Sequence, residues 1–417
     1  MNKKLIIILI IILVIILIGG LFIAGRGNGG TEEPGGLFSL FPFGRGEDST
    51  ETTSGPVNTD NGSDAGTAAG VTVSGLRKIT TEPISGADFV TVSTTSATIR
   101  FVDKATGHIF EINSQGQTPK RISNTTIPQL EKIYWSERGD ELIGRFVKDR
   151  VVNTIHMKLT AATTTTFDSE NLLGIESTFL PSGIESIALS PTKDRIFYTV
   201  TSGSGAVGYT SELDGTKAAN VWNSPLKYWS ISWPTGTKIT LNTPPSSESE
   251  GYLFSMSTKG GSMEKILGGK TALSAKVAPN GNLVVYSEKT ADGTSLALLG
   301  IKEGFDIGVG VRTLADKCTW SADSLFLFCS APKNQIPLNA PDSWYQGIVQ
   351  FNDNIFRISV GGGSVELLAE PEVSFGQAVD AVDLRISADN KYLIFINKID
   401  GALWMLTVPE FVEETAD

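Results

Sequence analysis

Polar turns followed by short apolar runs recur along the C-terminal four-fifths of this chain. The clearest example is Lys317–Pro332 (KCTWSADSLFLFCSAP), in which one strand enters the turn Ser-Ala-Asp-Ser and an almost wholly apolar strand leaves it. Serine, aspartate and glycine favour chain reversal because they bond locally to the backbone or tolerate positive φ. A continuous apolar run is typical of a strand buried on both faces. The pattern therefore predicts β-hairpins whose second strand lies inside a small sheet packed between neighbouring sheets.

The hairpins recur at a nearly constant spacing. Aligned on the residue before each turn, the seven copies are Ser93, Ser136, Ser190, Trp233, Ala278, Ser321 and Ser387. Three of the six spacings are 43 residues, and the longest is 66. A third strand follows in every copy, and a shorter fourth strand is clearest at Pro119–Ser123, Met263–Leu267, Val309–Leu314 and Val365–Ala369. Four antiparallel strands per repeat predict an all-β fold, a seven-bladed β-propeller, with six or eight blades as alternatives.

The seventh copy lacks a fourth strand of its own. After Trp404 and Val408 the chain ends in PEFVEETAD. The segment Leu76–Thr80 (LRKIT), which precedes the first copy, resembles the outer-strand segments PKRIS and MEKIL. We therefore expect this N-terminal strand to complete the last blade and close the ring. The propeller is predicted over residues 76–410, followed by an acidic tail over residues 411–417.

The N-terminus contains a long apolar segment. The uncharged run from Leu5 to Ala24 is 20 residues long, which is about the length that crosses a bilayer core. A cleaved signal peptide usually has a shorter apolar region and a small-x-small site after it. The run is rich in Ile and Leu and lacks a clean Ala-x-Ala, so it predicts an uncleaved transmembrane signal anchor over residues 5–25. A cleavage region near Gly19 and Gly20 is the alternative.

Charge on either side of the apolar run predicts its orientation. Lys3 and Lys4 precede the run, whereas Arg26 alone follows it closely. The positive-inside rule then leaves residues 1–4 in the cytoplasm as a short tail and places the rest outside. Residues 26–75 are rich in Gly, Ser, Thr and Pro and predict a flexible linker. The expected location is the cell membrane, single-pass, with the propeller on the extracytoplasmic side.

Composition argues against several classes of function. The net charge is −11, and no basic stripe exists to neutralise phosphates, so no nucleic-acid partner is expected. His108 and His156 are the only histidines, and no G-x-S-x-G elbow occurs. Asp380 and Asp383 could line a central channel, but two acids at some spacing occur in any acidic protein. We therefore expect no catalytic residues, no metal, no cofactor and no enzymatic activity.

Two cysteines lie on the two arms of the clearest hairpin. Cys318 and Cys329 are equidistant from its turn to within a residue. Cross-strand positions bring Cβ atoms close enough for a disulfide, which an extracytoplasmic location would let persist. The alternative is a pair of buried free thiols, which would follow if the register placed the two side chains on opposite faces.

The longest spacing contains the insertion Ala331–Asn354 (APKNQIPLNAPDSWYQGIVQFNDN). Recognition in scaffold proteins is concentrated in such loops. Asp342, Trp344 and Tyr345 are therefore the best candidates for an interaction surface. The alternative is that Trp344 packs back onto the blade and only covers it.

The other aromatic residues divide into two groups. Tyr228 and Trp229, in the segment WNSPLKYW, are further candidates for the interaction surface. Trp135, Trp233 and Trp320 fall at or next to the aligned turn position, so they recur with the repeat. We expect these three to pack between blades.

The hairpins SPTKDRIFYT, APNGNLVVYS, WSADSLFLFCS and SADNKYLIFIN resemble the WD40-like (PD40) repeats of TolB-type propellers. The resemblance covers about residues 76–410, although no copy has a full Ser-Pro-Asp-Gly and the Trp-Asp dipeptide is absent. It implies a propeller and an extracytoplasmic, envelope-associated scaffold, and it transfers no catalytic residue. The resemblance to TolB implies a ring of six blades, whereas the repeats in this sequence number seven.

Together these observations predict a membrane-anchored, extracytoplasmic β-propeller that acts as a non-catalytic protein-interaction scaffold at the cell envelope. The expected partners are the membrane, through the N-terminal helix, and an envelope protein. A glycan-binding module is the first alternative, and exposure of Trp344, Tyr345 and Trp229 on one face would favour it. A propeller hydrolase or lyase is the second alternative, and it would need acids with raised pKa values clustered in the channel.

Overall fold

The computed structural model describes residues 75–161, 172–291 and 293–411. These residues form seven four-stranded antiparallel sheets. Seven buried apolar clusters each combine side chains of two successive sheets, and one of them joins the last sheet to the first. The sheets are therefore the blades of a closed seven-bladed β-propeller, as the repeat spacing predicted.

The strands follow one another in the predicted order, and each is bounded as follows. The first half of the ring contains β1 (Leu76–Lys78), β2 (Ile84–Val92), β3 (Ala97–Asp103), β4 (Ile109–Asn113), β5 (Lys120–Arg121), β6 (Leu130–Trp135), β7 (Glu141–Lys148), β8 (Val151–Thr160), β9 (Gly174–Phe179), β10 (Ile184–Leu189), β11 (Arg195–Ser202), β12 (Gly205–Glu212) and β13 (Ala219–Ser224). The second half contains β14 (Ser230–Thr235), β15 (Lys238–Asn242), β16 (Glu250–Ser257), β17 (Glu264–Thr271), β18 (Ser274–Val277), β19 (Leu283–Thr290), β20 (Gly293–Gly300), β21 (Asp306–Gly308), β22 (Cys318–Trp320), β23 (Phe326–Pro332), β24 (Asp353–Ser359), β25 (Val365–Ala369), β26 (Ala381–Ile386), β27 (Tyr392–Asn397) and β28 (Leu403–Thr407).

Blades 1 to 6 take four consecutive strands each, beginning with β2, and blade 7 combines β26, β27 and β28 with β1. Three short helical segments lie in the connections. They are a 3₁₀ turn at Ala315–Lys317, helix α1 at Asp342–Tyr345 and helix α2 at Pro371–Phe375.

The recurrent turn is held by a serine hydroxyl. In blade 3, Ser190 Oγ donates to Asp194 Oδ1 (2.8 Å) and accepts from the backbone N–H of Arg195 (3.1 Å). The same acceptor role is played by Ser136, Ser321 and Ser387. The hydroxyl satisfies backbone groups that the reversal leaves unpaired. This is why the sequence repeat marks the first turn of the blades so faithfully.

The tryptophans that recur with the repeat lie between blades. Trp135 packs between blades 1 and 2, Trp233 between blades 3 and 4, and Trp320 between blades 5 and 6. All three are at most 8% exposed. The prediction of inter-blade packing is confirmed for each of them.

The ring is closed by its first strand. Leu76 pairs with Leu406 and Lys78 with Trp404, so β1 is the fourth strand of blade 7. The Lys78 ammonium lies 2.7 Å from Asp400 Oδ2, and Arg77 donates to the carbonyl of Ser114 in blade 1 (2.6 Å). The predicted closure is confirmed, and β1 is bonded to both blades that it joins.

One predicted strand is wrong. The fourth strand of blade 5 is Asp306–Gly308 rather than Val309–Leu314. Val309 and Val311 instead turn inward and pack between blades 5 and 6. Because these apolar side chains are buried between the blades, the segment that carries them does not extend the fourth strand of blade 5.

The N-terminal predictions fall outside the described residues. These are the tail at residues 1–4, the anchor at residues 5–25 with the apolar run Leu5–Ala24, and the linker up to residue 74. Of the tail predicted at residues 411–417, only Phe411 is described. Within the described part of the chain, no helix combines the length and apolarity needed to cross a membrane.

Candidate functional site

The two edges of the ring carry different connections. Because the strands of each blade alternate in direction, the serine turns lie on one edge, which we call the turn face. The loops between second and third strands, and the connections between blades, lie on the other. That edge carries the long insertion of blade 6, residues 333–352 between β23 and β24, and we call it the insertion face.

The insertion folds back into a small apolar core of its own. Ile336, Ala340, Trp344 and Phe351 pack together with Leu314 from the connection before blade 6. The rings of Trp344 and Phe351 are stacked, with centroids 5.9 Å apart and planes 6° from parallel. The insertion therefore presents a defined surface rather than an open loop.

A buried charge cluster lies beneath this core. The Lys317 ammonium lies 2.8 Å from Asp353 Oδ2 and 2.5 Å from Asp380 Oδ1, and all three side chains are fully buried. The same ammonium donates to the carbonyl of Ala381 (3.0 Å). Trp344 Nε1 donates to Asp380 Oδ2 (2.9 Å), so the cluster holds the insertion directly. Charges buried this deeply are tolerated only when they are paired and hydrogen-bonded.

One carboxylate of the cluster is poorly compensated. Asp353 Oδ1 has no hydrogen-bond partner among the described residues. Burial, together with the neighbouring charge of Asp380, raises the pKa of Asp353 to about 6, against the opposing effect of Lys317. Two carboxylates share a single ammonium, which compensates the charge of Asp353 incompletely.

Further contacts fasten the insertion to other blades. The Asp342 carboxylate accepts from the backbone N–H of Ser247 in blade 4. Lys398, in blade 7, donates to the carbonyl of Trp344 and lies 4.0 Å from the centroid of its ring. Burial lowers the pKa of Lys398. The insertion thus reaches from blade 6 to blade 4 on one side and to blade 7 on the other.

The structure divides the residues that the sequence singled out. Tyr228 is 57% and Tyr345 44% exposed, so both can contribute to a surface. Trp344 and Trp229 are each 5% exposed, and the expectation that they form the contact surface is wrong. Trp229 Nε1 donates to the carbonyl of Leu226 (3.1 Å), as an inward-facing indole does. For Trp344 the alternative holds, because it packs onto the blade.

Two of the expected surface residues, Tyr345 and Asp342, use their polar groups in hydrogen bonds within the protein. The Tyr345 hydroxyl donates to Asp316 Oδ2, and burial and that carboxylate raise the pKa of the phenol. Asp342 is partly exposed, but Ser247 holds its carboxylate. What Tyr345 offers to a partner is therefore the exposed part of its ring.

The insertion face carries most of the exposed apolar side chains. Of the eighteen large apolar residues that are exposed in the described part of the chain, twelve lie at this edge. They are Val147, Val151, Val152, Phe179, Leu226, Tyr228, Leu338, Tyr345, Ile348, Val373, Phe375 and Ile399. Ile348 in the insertion (72%) and Val373 in α2 (73%) are the most exposed. The twelve are distributed over blades 2, 3, 6 and 7, and those of the insertion and α2 lie in segments that the Lys333–Glu372 ion pair joins. A contiguous exposed apolar patch is typical of an interaction surface.

Sequence reasoning missed most of this surface. Ile348 lies in the long insertion and Val373 in α2, two segments of mixed composition in which nothing distinguishes an exposed aliphatic residue from a buried one. Only the fold brings the insertion and α2 together. The Lys333 ammonium, at the base of the insertion, lies 3.1 Å from the Glu372 carboxylate of α2. The spacing of 66 residues was the one signal that indicated this region.

Asp380 and Asp383, the two aspartates that could line the channel, do not form a pair, because each lies beside a different lysine. Asp380 belongs to the buried cluster under the insertion. Asp383 lies 3.9 Å from Lys132. Burial would raise the pKa of Asp383, but the charges of Lys132, Arg385 and Lys276 outweigh it and lower that pKa. The raised pKa that a channel acid catalyst requires is absent at Asp383.

The histidines are also engaged in structural contacts. His156 is 6% exposed and its Nε2 lies 2.9 Å from Glu141 Oε2. His108 Nε2 lies 3.2 Å from the hydroxyl of Thr126. Across residues 75–161, 172–291 and 293–411, no group of three or more His, Cys, Asp or Glu side chains could hold a metal ion.

The two cysteines are directly opposite one another. Cys318 on β22 pairs with Cys329 on β23, with Cα atoms 4.1 Å apart, and the structure joins them by a disulfide. Both are buried between blades 5 and 6. The bond ties the innermost strand of blade 6 to the strand that leads into the insertion.

No protein-family model and no curated protein matches this sequence. Among solved structures, TolB from Acinetobacter baumannii aligns with a TM-score of 0.41 and 12% identity, covering 70% of this chain and 63% of TolB. An oligogalacturonate lyase in complex with manganese gives 0.48 and 11%, covering 79% and 97%. A puromycin-hydrolyzing peptidase of Mycobacterium tuberculosis gives 0.44 and 11%, covering 77% and 51%.

TolB proteins are thus among the similar structures, in agreement with the resemblance of the repeats. The chain spans a little under two thirds of the length of the Acinetobacter TolB and about half of the peptidase. At these identities the similarity concerns the fold alone, and that fold hosts both binding proteins and enzymes.

Proposed function

We propose that this chain is a non-catalytic docking module at the cell envelope, whose insertion face binds a folded protein partner. The observation that carries the proposal is the concentration of exposed apolar side chains on that face. A partner with an apolar patch would cover Leu338, Ile348 and Val373, and burying them supplies the main driving force of association. The buried cluster around Lys317 keeps the insertion in one conformation, which reduces the ordering cost of binding.

We further propose that residues 5–25 anchor the chain in the cell membrane and that the propeller lies on the extracytoplasmic side. The apolar run Leu5–Ala24 and the lysines before it support this orientation. A Cys318–Cys329 disulfide is compatible with an oxidising compartment.

The glycan alternative loses two of the three residues on which it depended, and only Tyr345 is exposed. Aromatic platforms for sugars need exposed ring faces, and Trp344 and Trp229 are buried. The enzyme alternative gains no support from the acids. Asp383 has a lowered pKa, and Asp353, whose pKa is raised, is fully buried. The absence of enzymatic activity stays a prediction.

Site-specific crosslinking tests the docking proposal. A photoreactive phenylalanine analogue replaces Leu338 on the insertion face or, as a matched control of similar exposure, Leu325 on the turn face (57% and 58%). We expect discrete protein adducts from position 338 and none from position 325. Ile348→Asp and Val373→Asp should abolish the adduct at position 338, whereas Leu325→Asp should leave it intact.

Adducts of equal yield from both faces, or adducts that survive both aspartate substitutions, would refute docking through the insertion face. The location is tested separately by protease treatment of intact cells or spheroplasts. Digestion from outside supports the proposed orientation, and protection contradicts it. A non-reducing gel of the same samples shows whether Cys318 and Cys329 are bonded in the cell.

A further inference from the structure

Four basic side chains from non-adjacent blades lie close together. Lys132 and Arg145 belong to blade 2, Lys276 to blade 5 and Arg385 to blade 7. Lys132 and Arg385 both help to lower the pKa of Lys276, and Arg385 and Arg145 both oppose the rise in the pKa of Lys132. Such influence requires proximity, and Lys132 and Arg385 also line one cavity together with Asp383. Blade 5 borders neither blade 2 nor blade 7, so these side chains meet at the ring axis, in the central channel.

The acids at the axis do not balance these four cations. Asp383 lies at a bulge of β26 with φ of 50°, and its carboxylate is 3.9 Å from Lys132. Asp316 accepts hydrogen bonds from Ser274 (2.8 Å) and from Tyr345. Four cations against two carboxylates leave an excess of positive charge. The protein as a whole has a net charge of −11, so the channel has the opposite sign.

Some of these donors have no acceptor. The Arg385 side chain makes no hydrogen bond or close ion pair with the described residues, although its charge helps to lower the pKa of Asp383, and its Nε is buried. Arg145 donates to the carbonyl of Ile184 (2.7 Å), but its buried Nε finds no partner in the described part of the chain. A buried donor without an acceptor destabilises a fold, and native structures contain few of them.

Lys276, in contrast, is firmly positioned. Its ammonium donates to the carbonyls of Asp316 (3.0 Å) and Cys318 (2.7 Å), and burial is the main cause of its lowered pKa. The cation is therefore fixed at the channel wall instead of extending freely into solvent. Lys132 is half-exposed, and so is Asp383, which shows that solvent reaches this part of the channel.

We propose that the central channel binds a small oxyanion carrying two or more negative charges, such as phosphate, between Arg385, Lys276 and Lys132. Guanidinium groups bind phosphate and carboxylate oxygens through paired N–H donors, and a fixed ammonium adds a point charge. Asp383 competes with the ligand for the same cations. This site is independent of the apolar surface used in the proposed docking function.

Isothermal titration with inorganic phosphate at low ionic strength tests the site, because salt screens such interactions. Arg385→Gln should weaken binding about tenfold or more, as expected for loss of a charge-assisted hydrogen bond. Asp383→Asn should tighten binding, since it removes the competing carboxylate. Acetate, with a single charge, should bind much more weakly, whereas malonate should behave like phosphate.

The turn face supplies a matched control pair. Lys238 and Glu264 are exposed and lie 3.9 Å apart, like Lys132 and Asp383 in the channel. Lys238→Gln and Glu264→Gln change the net charge by the same amounts as the channel variants and should leave the affinity unchanged. Thermal unfolding shows whether Arg385→Gln is folded, and Lys132→Gln, at a half-exposed position, replaces it if it is not.

Three results would overturn the proposal. The first is the absence of saturable phosphate binding by the unmodified protein. The second is an equal change in affinity for the channel variants and the surface variants, which would indicate a net-charge effect only. The third is binding of acetate as tight as that of phosphate.

Discussion

Replacing Asp353 by asparagine is expected to stabilise the propeller at neutral pH. Asp353 Oδ2 accepts from Lys317 and from the backbone N–H of Ala381 (2.8 Å), and an amide oxygen in its place can accept both bonds. The other carboxylate oxygen has no partner among the described residues. The substitution therefore removes a buried negative charge and leaves the pairing of Lys317 with Asp380 intact.

The size of the effect follows from the pKa of Asp353. That pKa is about 6 in the folded protein, against an ordinary value of 3.8. Because the folded value is the higher one, the carboxyl stabilises the fold fully below pH 3.8, and this contribution is lost as the pH rises through 6. By pH 7.5, ionisation of Asp353 has therefore lowered the free energy of unfolding by about 3 kcal/mol, and at pH 5 the loss is roughly half as large.

The assay is guanidinium chloride unfolding of the unmodified protein and Asp353→Asn, followed by tryptophan fluorescence at several values of pH. We expect the advantage of the variant in free energy of unfolding to shrink as the pH falls from 7.5 to 5. Asp194→Asn is the control with the opposite sign, because hydrogen bonds from Thr192 and Ser190 lower the pKa of Asp194. Its destabilising effect should stay constant from pH 7.5 to 5 and fade only below the ordinary value of 3.8, because the pKa of Asp194 is lowered in the folded protein.

A variant that is less stable than the unmodified protein at pH 7.5 would refute the argument. A stability difference that does not depend on pH would refute it equally. Either result would mean that Asp353 stays ionised and well compensated in the folded state.

Three further predictions concern the framework of the ring. Lys317→Met should cost about 3–5 kcal/mol in free energy of unfolding, because it leaves buried carboxylates uncompensated, and denaturant unfolding measures this loss. Cys318→Ala combined with Cys329→Ala should cost about 3 kcal/mol relative to the oxidised parent, because the loop constraint is lost, measured the same way; stability equal to that of the oxidised parent would contradict this. A chain that begins at residue 81 lacks β1, and its blade 7 should exchange amide hydrogens far faster than the blade 7 of the full chain. Equal protection would show that ring closure does not stabilise that blade.

The repeat made the blades predictable because its signals are local. The serine of each turn and the apolar strand that begins about five residues later are neighbours in sequence, and the bond from the Phe326 N–H to Ser321 Oγ (2.9 Å) repeats that relation. The closing strand was predictable for a similar reason, since Leu76–Thr80 has the composition of an outer strand.

The site was less predictable because its contacts are distant in sequence. Trp344 is buried by Asp380 and Lys398, which follow it by 36 and 54 residues in other loops. Before those partners are known, an indole in a long insertion is equally compatible with a surface and with a core. Arg385 reaches the cations of blades 2 and 5 only because the ring closes, and no local pattern encodes that proximity.

The pairing of Leu76 with Leu406 also sets an order of events during synthesis. The first strand of the propeller to leave the ribosome has no partner until the last strand, Leu403–Thr407, has been made. Blades 1 to 6 each contain all of their strands in sequence and can form as they emerge. The ring can close only after translation has passed Thr407, so completion of the fold is a late and long-range step.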